Sequence, residues 1–202
     1  LLQVPVFAWR ELLPRPAPAQ GEAPQAQVLA SFACPLGHTQ PALVEGRLGR
    51  YSFLGCRPFL TFRAKSRRIE LEREGRVRSL AGNPFRVVGE LLGRYTVSRP
   101  PGAPPLLAGA VGYFGYDLCH AVERLPCTTV DDVPLPDCQL GFYHSVLTLD
   151  HAEGLAYLSV TGLPETDPAR ARDLVASRIA WWEDALARPA PPLPGCHPPA
   201  QP

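Results

Sequence analysis

Methionine is absent from the 202 residues, lysine occurs once (Lys65), and no apolar run approaches the length of a membrane span. The last absence excludes a bilayer-crossing helix, which needs ~20 consecutive apolar residues. Without a methionine, residue 1 is not an initiator, so the chain is expected to begin inside a longer reading frame. The opening LLQVPVFAWRELL is apolar but lacks a basic flank and a small-residue cleavage site, which argues against a secretory signal. No C-x-x-C pair occurs, and the five histidines (His38, His120, His144, His151, His197) are scattered. Cys196-His197 alone is a poor zinc half-site. The six cysteines (Cys34, Cys56, Cys119, Cys127, Cys138, Cys196) form no compact framework. Free thiols in a reducing, cytoplasmic setting are the expectation.

Hydrophobic content of 46% and a net charge of +1 place the chain among ordinary globular proteins. The basic cluster Lys65, Arg67, Arg68, Arg73, Arg76 and Arg78 invites a nucleic-acid reading. Glu70, Glu72 and Glu74 are interleaved with it and cancel much of its charge. With Ile69, Leu71, Val77 and Leu80 between the charges, the pattern predicts an exposed hairpin turning at Glu74-Gly75, and no nucleic acid. Further strands are expected at Val28–Cys34, Pro41–Glu45, Arg50–Gly55, Phe59–Ala64 and Leu155–Val160. Asn83-Pro84 reads as a cap followed by proline in the first helical turn, with Phe85, Val88, Leu91, Leu92 and Tyr95 as the apolar stripe. Thr166 or Asp167 caps a last helix carrying Ala171, Leu174, Val175, Ile179, Trp182 and Leu186. Pro14–Gln27 reads as a loop and 189–202 as a proline-rich tail, leaving one domain over 1–188.

The central stretch 106–150 is the most informative. Leu106–Tyr116 is an apolar run with Gly109, Gly112 and Gly115, expected to be a buried strand closely approached by a neighbouring backbone. Its G-x-x-G-x-x-G spacing is neither a dinucleotide fingerprint nor a phosphate loop. Asp117 is expected to cap a short helix with Leu118, Ala121, Val122 and Leu125 inward, stopped by Pro126. A single strand is expected from Gln139 to Leu149. Asp131, Asp132 and Asp137 are the densest carboxylates, and beside Pro134 and Pro136 they read as turn formers.

GAVGYFGYDL, VERLP, DD, PD and LGFYHSVLTLDH, with PALVEGRLGRYSFLGCRP upstream, resemble in order and spacing the N-terminal region of the chorismate-utilising enzymes. Those are component I of aminodeoxychorismate synthase and of anthranilate synthase. The resemblance runs from Pro41 to Ser159. It implies an α+β fold with largely antiparallel, sandwich-like sheets and about three packed helices. It also implies amination of chorismate, with ammonia from a glutamine amidotransferase subunit or domain and Mg²⁺ holding the substrate.

In the family, chorismate and Mg²⁺ bind in a C-terminal half, and nothing after Val160 resembles it. No catalytic or metal-ligating residue and no cofactor is therefore assigned here, and the chain alone is expected to be inactive. LGFYHSVLTLDH is more similar to the aminodeoxychorismate (folate-pathway) version than to the anthranilate (tryptophan-pathway) one. A module that only binds an amino acid or the amidotransferase is a further alternative.

The resemblance places a tryptophan pocket at Leu43, Val44, Glu45, Gly46, Arg50, Tyr51 and Ser52. Leu43, Glu45, Gly49, Arg50, Tyr51 and Ser52 match the family's motif, and Val44 is conservative. Gly46 departs where the motif has serine, which removes one hydrogen bond to a ligand. The competing reading of the same residues is a strand edge, with Glu45 paired to an arginine and Tyr51 in the core.

Overall fold

The computed structural model describes residues 7–11, 42–44, 50–126, 131 and 135–188, the first two segments by their backbone alone. Its strands are β1 (Phe7–Glu11), β2 (Ala42–Val44), β3 (Tyr51–Gly55), β4 (Leu60–Lys65), β5 (Arg68–Arg73), β6 (Arg76–Ala81), β7 (Gly109–Phe114), β8 (Cys138–Tyr143), β9 (Ser145–Asp150) and β10 (Leu155–Thr161). They form two five-stranded antiparallel sheets, ordered β1-β10-β9-β3-β2 and β6-β5-β4-β8-β7. Two α-helices, α1 (Pro84–Arg94) and α2 (Pro168–Ala187), and a 3₁₀ turn (Tyr116–Ala121) complete the described elements. The expected α+β class with antiparallel sheets is observed. The expected strand Val28–Cys34, the loop 14–27 and the tail 189–202 lie outside the described residues, as do Cys34, Cys127, Cys196 and Asp132.

Local chemistry explains most of these boundaries. Glu74 and Gly75 both have positive φ, at 52° and 74°, which suits a two-residue turn joining twisted strands. The registers Arg73↔Arg76 and Leu71↔Arg78 follow from it. Asn83 caps α1 by accepting from the N–H groups of Phe85 and Arg86 at 2.9 and 3.4 Å, with Pro84 following it. Asp167 caps α2 by accepting from Arg170 N–H at 2.9 Å. In α1 the buried residues are Pro84, Val87, Val88 and Leu91, while Phe85 and Leu92 face outward, so the stripe is rotated from the expected one.

Each sheet has its own helix and its own core. On the second sheet Leu60, Phe62, Ala64, Ile69, Leu140 and Phe142 pack with Val87, Val88 and Leu91 of α1 and with Leu118. On the first, Leu54, Leu147, Leu158 and Val160 pack with Val175 and Trp182 of α2. Burial of these side chains removes each from water at about 1.5–3 kcal/mol apiece.

Three sequence expectations are corrected in the central stretch. The strand expected over Gln139–Leu149 is two strands, β8 in one sheet and β9 in the other, with His144 between them. The helix expected after Asp117 is a 3₁₀ turn whose N-cap residue, Gly115, supplies no side-chain bond, and Val122 and Leu125 are exposed. β7, expected to be buried, is an edge strand with Tyr113 and Phe114 exposed. The close backbone approach expected there is present. A Cβ on Gly112 would lie 1.9 Å from the carbonyl oxygen of Gln139.

The two sheets are tied at the bend. The Tyr143 ring lies over Gly141 in its own strand and against Gly55 of β3, where added Cβ atoms would come within 2.7 and 2.8 Å of it. His144 is largely buried beside Phe59, with its Nδ1 2.6 Å from Ser145 Oγ. Burial, with Arg178 and Arg57 nearby, pushes its pKa down to about 3, so the imidazole is neutral near pH 7. Its carbonyl accepts from Thr161 N–H at 2.8 Å and Thr161 Oγ1 at 2.9 Å, and Arg178 donates to the Thr161 carbonyl at 2.5 Å.

Replacing Gly112 by alanine forces a methyl group into the β8 backbone. A loss of about 1–3 kcal/mol or more is expected in urea unfolding, from overpacking against an atom that cannot rotate away. An unchanged midpoint would contradict the close approach.

Candidate functional site

The residues that resemble a ligand pocket meet the second half of the central motif at one corner of the first sheet. Arg50 precedes β3, and the hairpin turn after β9 carries Asp150 and His151. Register places Tyr51 opposite Asp150 and Ser52 opposite Leu149. Arg50 Nε donates to both Asp150 carboxylate oxygens at 2.9 Å, and Nη2 to Oδ2 at 2.6 Å. The Asp150 side chain is 2% exposed, whereas Arg50 is half exposed and also reaches Glu153 at 3.5 Å. Ala152 and Glu153 donate backbone N–H groups to Asp150 Oδ1 at 3.1 and 3.3 Å. A buried carboxylate with that many donors remains ionised. Its pKa is held below the ordinary carboxylate value, first by Arg50 and then by the two backbone N–H groups.

Ser52 Oγ lies 2.8 Å from His151 Nε2, and Ser52 is 6% exposed. The Arg50 guanidinium also sits 5.1 Å from the Tyr51 ring centre, within cation–π range. The three described candidates, Arg50, Tyr51 and Ser52, are therefore gathered with Asp150 and His151. Leu43 and Val44 are on β2, where Leu43 pairs with Leu54 and Val44 with Phe53 of β3. Glu45 and Gly46 lie outside the described residues.

Asp150 ends β9 and His151 opens the turn to β10. The Asp150 carboxylate fixes Arg50 about a hundred positions upstream. The available signal was their place in the LTLDH segment of the resemblance; pairing of β3 with β9 was not visible in either segment alone. On the face of the sheet opposite α2, Thr148 Oγ1 and Ser159 Oγ are buried without a hydrogen-bond partner among the described residues. The other carboxylates do structural work. Asp137 accepts from Ser66 N–H at 2.6 Å and pairs with Lys65 at 3.2 Å, and Asp131 reaches the same lysine at 2.7 Å. Among the described residues no three His, Cys, Asp or Glu side chains gather as a metal site. Cys56, Cys119 and Cys138 are in no disulfide, and burial beside Asp137 pushes the Cys138 thiol up to about 11. Among the described residues no helix is long and apolar enough to cross a membrane.

No protein-family model matches the chain. Named relatives do match it. Anthranilate synthase component 1 of Acetivibrio thermocellus is 38% identical over 120 residues, which is 58% of this chain and 24% of that protein. Its counterpart in Thermus thermophilus is 32% identical over 161 residues, 80% of this chain and 32% of that protein. The kinship is with anthranilate synthase component 1. That similarity agrees at a coarse level with the sequence resemblance. The chain spans about a quarter to a third of the length of these relatives. Anthranilate synthase component I from Streptococcus pneumoniae superposes with a TM-score of 0.57 at 21% identity, over 81% of this chain and 35% of that one. That likeness establishes the fold.

Asp150→Asn keeps the shape of the corner and removes its charge. Because the folded pKa of Asp150 is depressed, its contribution to stability is full above the ordinary value of 3.8 and is lost as pH falls through the folded value. The variant is expected to melt below the wild type at pH 7, with the gap closing once pH drops under 3.8. Equal melting temperatures at pH 7, followed by circular dichroism, would show that the pair does not hold the corner.

Proposed function

We propose that this chain is part of a chorismate-aminating synthase, with the anthranilate-forming reaction as the first reading. The observation that carries it is the 38% identity over 120 residues with a protein named anthranilate synthase component 1. In this reading chorismate is aminated on its ring with ammonia supplied by a glutamine amidotransferase partner. The substrate and its Mg²⁺ bind to sequence corresponding to the greater part of the relatives that this chain does not span. The described residues do not form a donor set that fits Mg²⁺, so no catalytic step is assigned to them.

The role proposed for this chain is to hold an amino-acid ligand, L-tryptophan, beside the β2–β3 connection. Arg50 and Asp150 fix the start of β3. Tyr51 and Ser52 lie next in line. One observation favours the second reading, aminodeoxychorismate formation in the folate pathway. Gly46 stands where the motif carries a serine, and loss of that hydroxyl weakens a feedback pocket. An amino-acid-binding module without chemistry of its own is the third reading.

Product analysis separates the three. The chain is combined with the remaining part of the Thermus thermophilus relative and supplied with chorismate, ammonium and Mg²⁺. Anthranilate, followed by its fluorescence, is expected from the combination and not from the chain alone. Formation of 4-amino-4-deoxychorismate would move the assignment to the folate pathway. Absence of any product while tryptophan still binds would favour the binding module.

A further inference from the structure

The hairpin β5–β6 looks electrically balanced along the sequence, and the pleat undoes that balance. Residues directly opposite one another in an antiparallel pair point to the same face. Leu71 pairs with Arg78, Ile69 with Leu80 and Arg73 with Arg76, so Arg73, Arg76 and Arg78 share the face on which α1 packs. Glu70 and Glu72 fall on the opposite face. There they are taken up by basic partners, Glu70 by Arg68 at 2.7 Å and Glu72 by Arg63 at 2.7 Å. Glu70 and Glu72 are therefore turned away from these arginines in space, while Glu74 at the turn stays 3.5 Å from Arg73.

On the α1 side Arg78 borders a groove of about 240 Å³ between the helix and the hairpin. Leu71, Leu80, Val87 and Leu91 supply its apolar lining. Arg78, Arg86 and Arg94 stand around it against the single glutamate Glu90. Glu90 is 3.5 Å from Arg86, an exposed pair that gains little. Arg76, Arg78 and Arg94 make no ion pair with any described residue. The hairpin also ends its sheet, because β6 is the first strand in the order and its outer edge is unpaired among the described residues.

We propose that this groove is a docking site for an acidic amphipathic peptide segment of a partner protein. The aliphatic side chains of such a segment would occupy the apolar floor, and its carboxylates would meet the arginines on the rim. An arginine rim favours carboxylates by paired, charge-assisted hydrogen bonds, and an apolar floor supplies what a purely electrostatic patch lacks. A nucleic acid is the weaker fit. Its bases need stacking platforms, and the groove is floored by aliphatic side chains. The site is independent of the corner at Arg50 and of the reaction proposed for the parent enzyme.

The test is calorimetric titration of the 202-residue chain. The probes are a short synthetic helix former with leucines on one face and glutamates elsewhere, and a scrambled peptide of the same composition. A single-stranded oligonucleotide and phosphatidylglycerol vesicles are run beside them. The patterned acidic peptide is expected to bind at least about tenfold more tightly than the scramble, and to weaken as salt is raised. Arg78→Glu with Arg94→Glu should reduce its affinity by a further factor of about ten or more, while Arg172→Glu on α2 leaves it unchanged. Both substituted positions are exposed, and an unaltered melting temperature confirms that the variants fold. Equal binding of patterned and scrambled peptides would overturn the proposal. So would binding that survives the double reversal, or uptake of the oligonucleotide or vesicles alone.

Discussion

The structure depends on a bend of one residue. β8 sits between β4 and β7 in one sheet, and β9 sits between β10 and β3 in the other, with only His144 separating them. Such a short crossing leaves no slack, so everything around it is small, buried or hydrogen-bonded. Gly55 and Gly141 make room for the Tyr143 ring. The His144 carbonyl takes two donors from Thr161, and the Thr161 carbonyl is held by Arg178 of α2. An imidazole in this place is kept neutral because the surroundings disfavour its charge, and two arginines lie close enough to add to that effect. The bend therefore couples the helix of one sheet to the strand order of both.

That coupling carries through to the candidate site. β9 leaves the bend, runs along β3 and ends at Asp150, so the position of Arg50 follows from where the bend puts β9. The corner is a consequence of the register: Asp150 faces the residue next to Arg50 only while Leu147 stays opposite Leu54. A one-residue slip would turn the apolar face of β9 away from α2 and break the carboxylate–guanidinium pair together. Packing energy and site geometry are thus set by the same pairing.

Much of this was legible in the residues, and the exceptions have physical causes. Asn83-Pro84 and Asp167-Pro168 announced both helices, because caps act through neighbours in sequence. The Glu74-Gly75 hairpin was equally local. The break at His144 was not legible, since β8 and β9 are both apolar and nothing at that position resembles a turn residue; the switch of sheet is a tertiary event. The short helix after Asp117 was misread because its periodicity promised an inward stripe, whereas Val122 and Leu125 are exposed. The charges of the β5–β6 hairpin were read as cancelling because sequence proximity hides the alternation of faces. At the corner, Arg50, Tyr51 and Ser52 came from the family resemblance, while Asp150 and His151 joined them only through strand pairing.

The claim that binds fold to function is that this corner is the edge of an amino-acid pocket. Its most direct test is calorimetry with L-tryptophan on the wild-type chain and on Gly46→Ser, each alone and joined to the remaining part of the Thermus thermophilus relative. Saturable binding is expected in both, tighter by about tenfold in Gly46→Ser because one hydrogen bond is restored. No saturable heat from either protein in either form would contradict the account and leave Arg50 and Asp150 as structural partners alone.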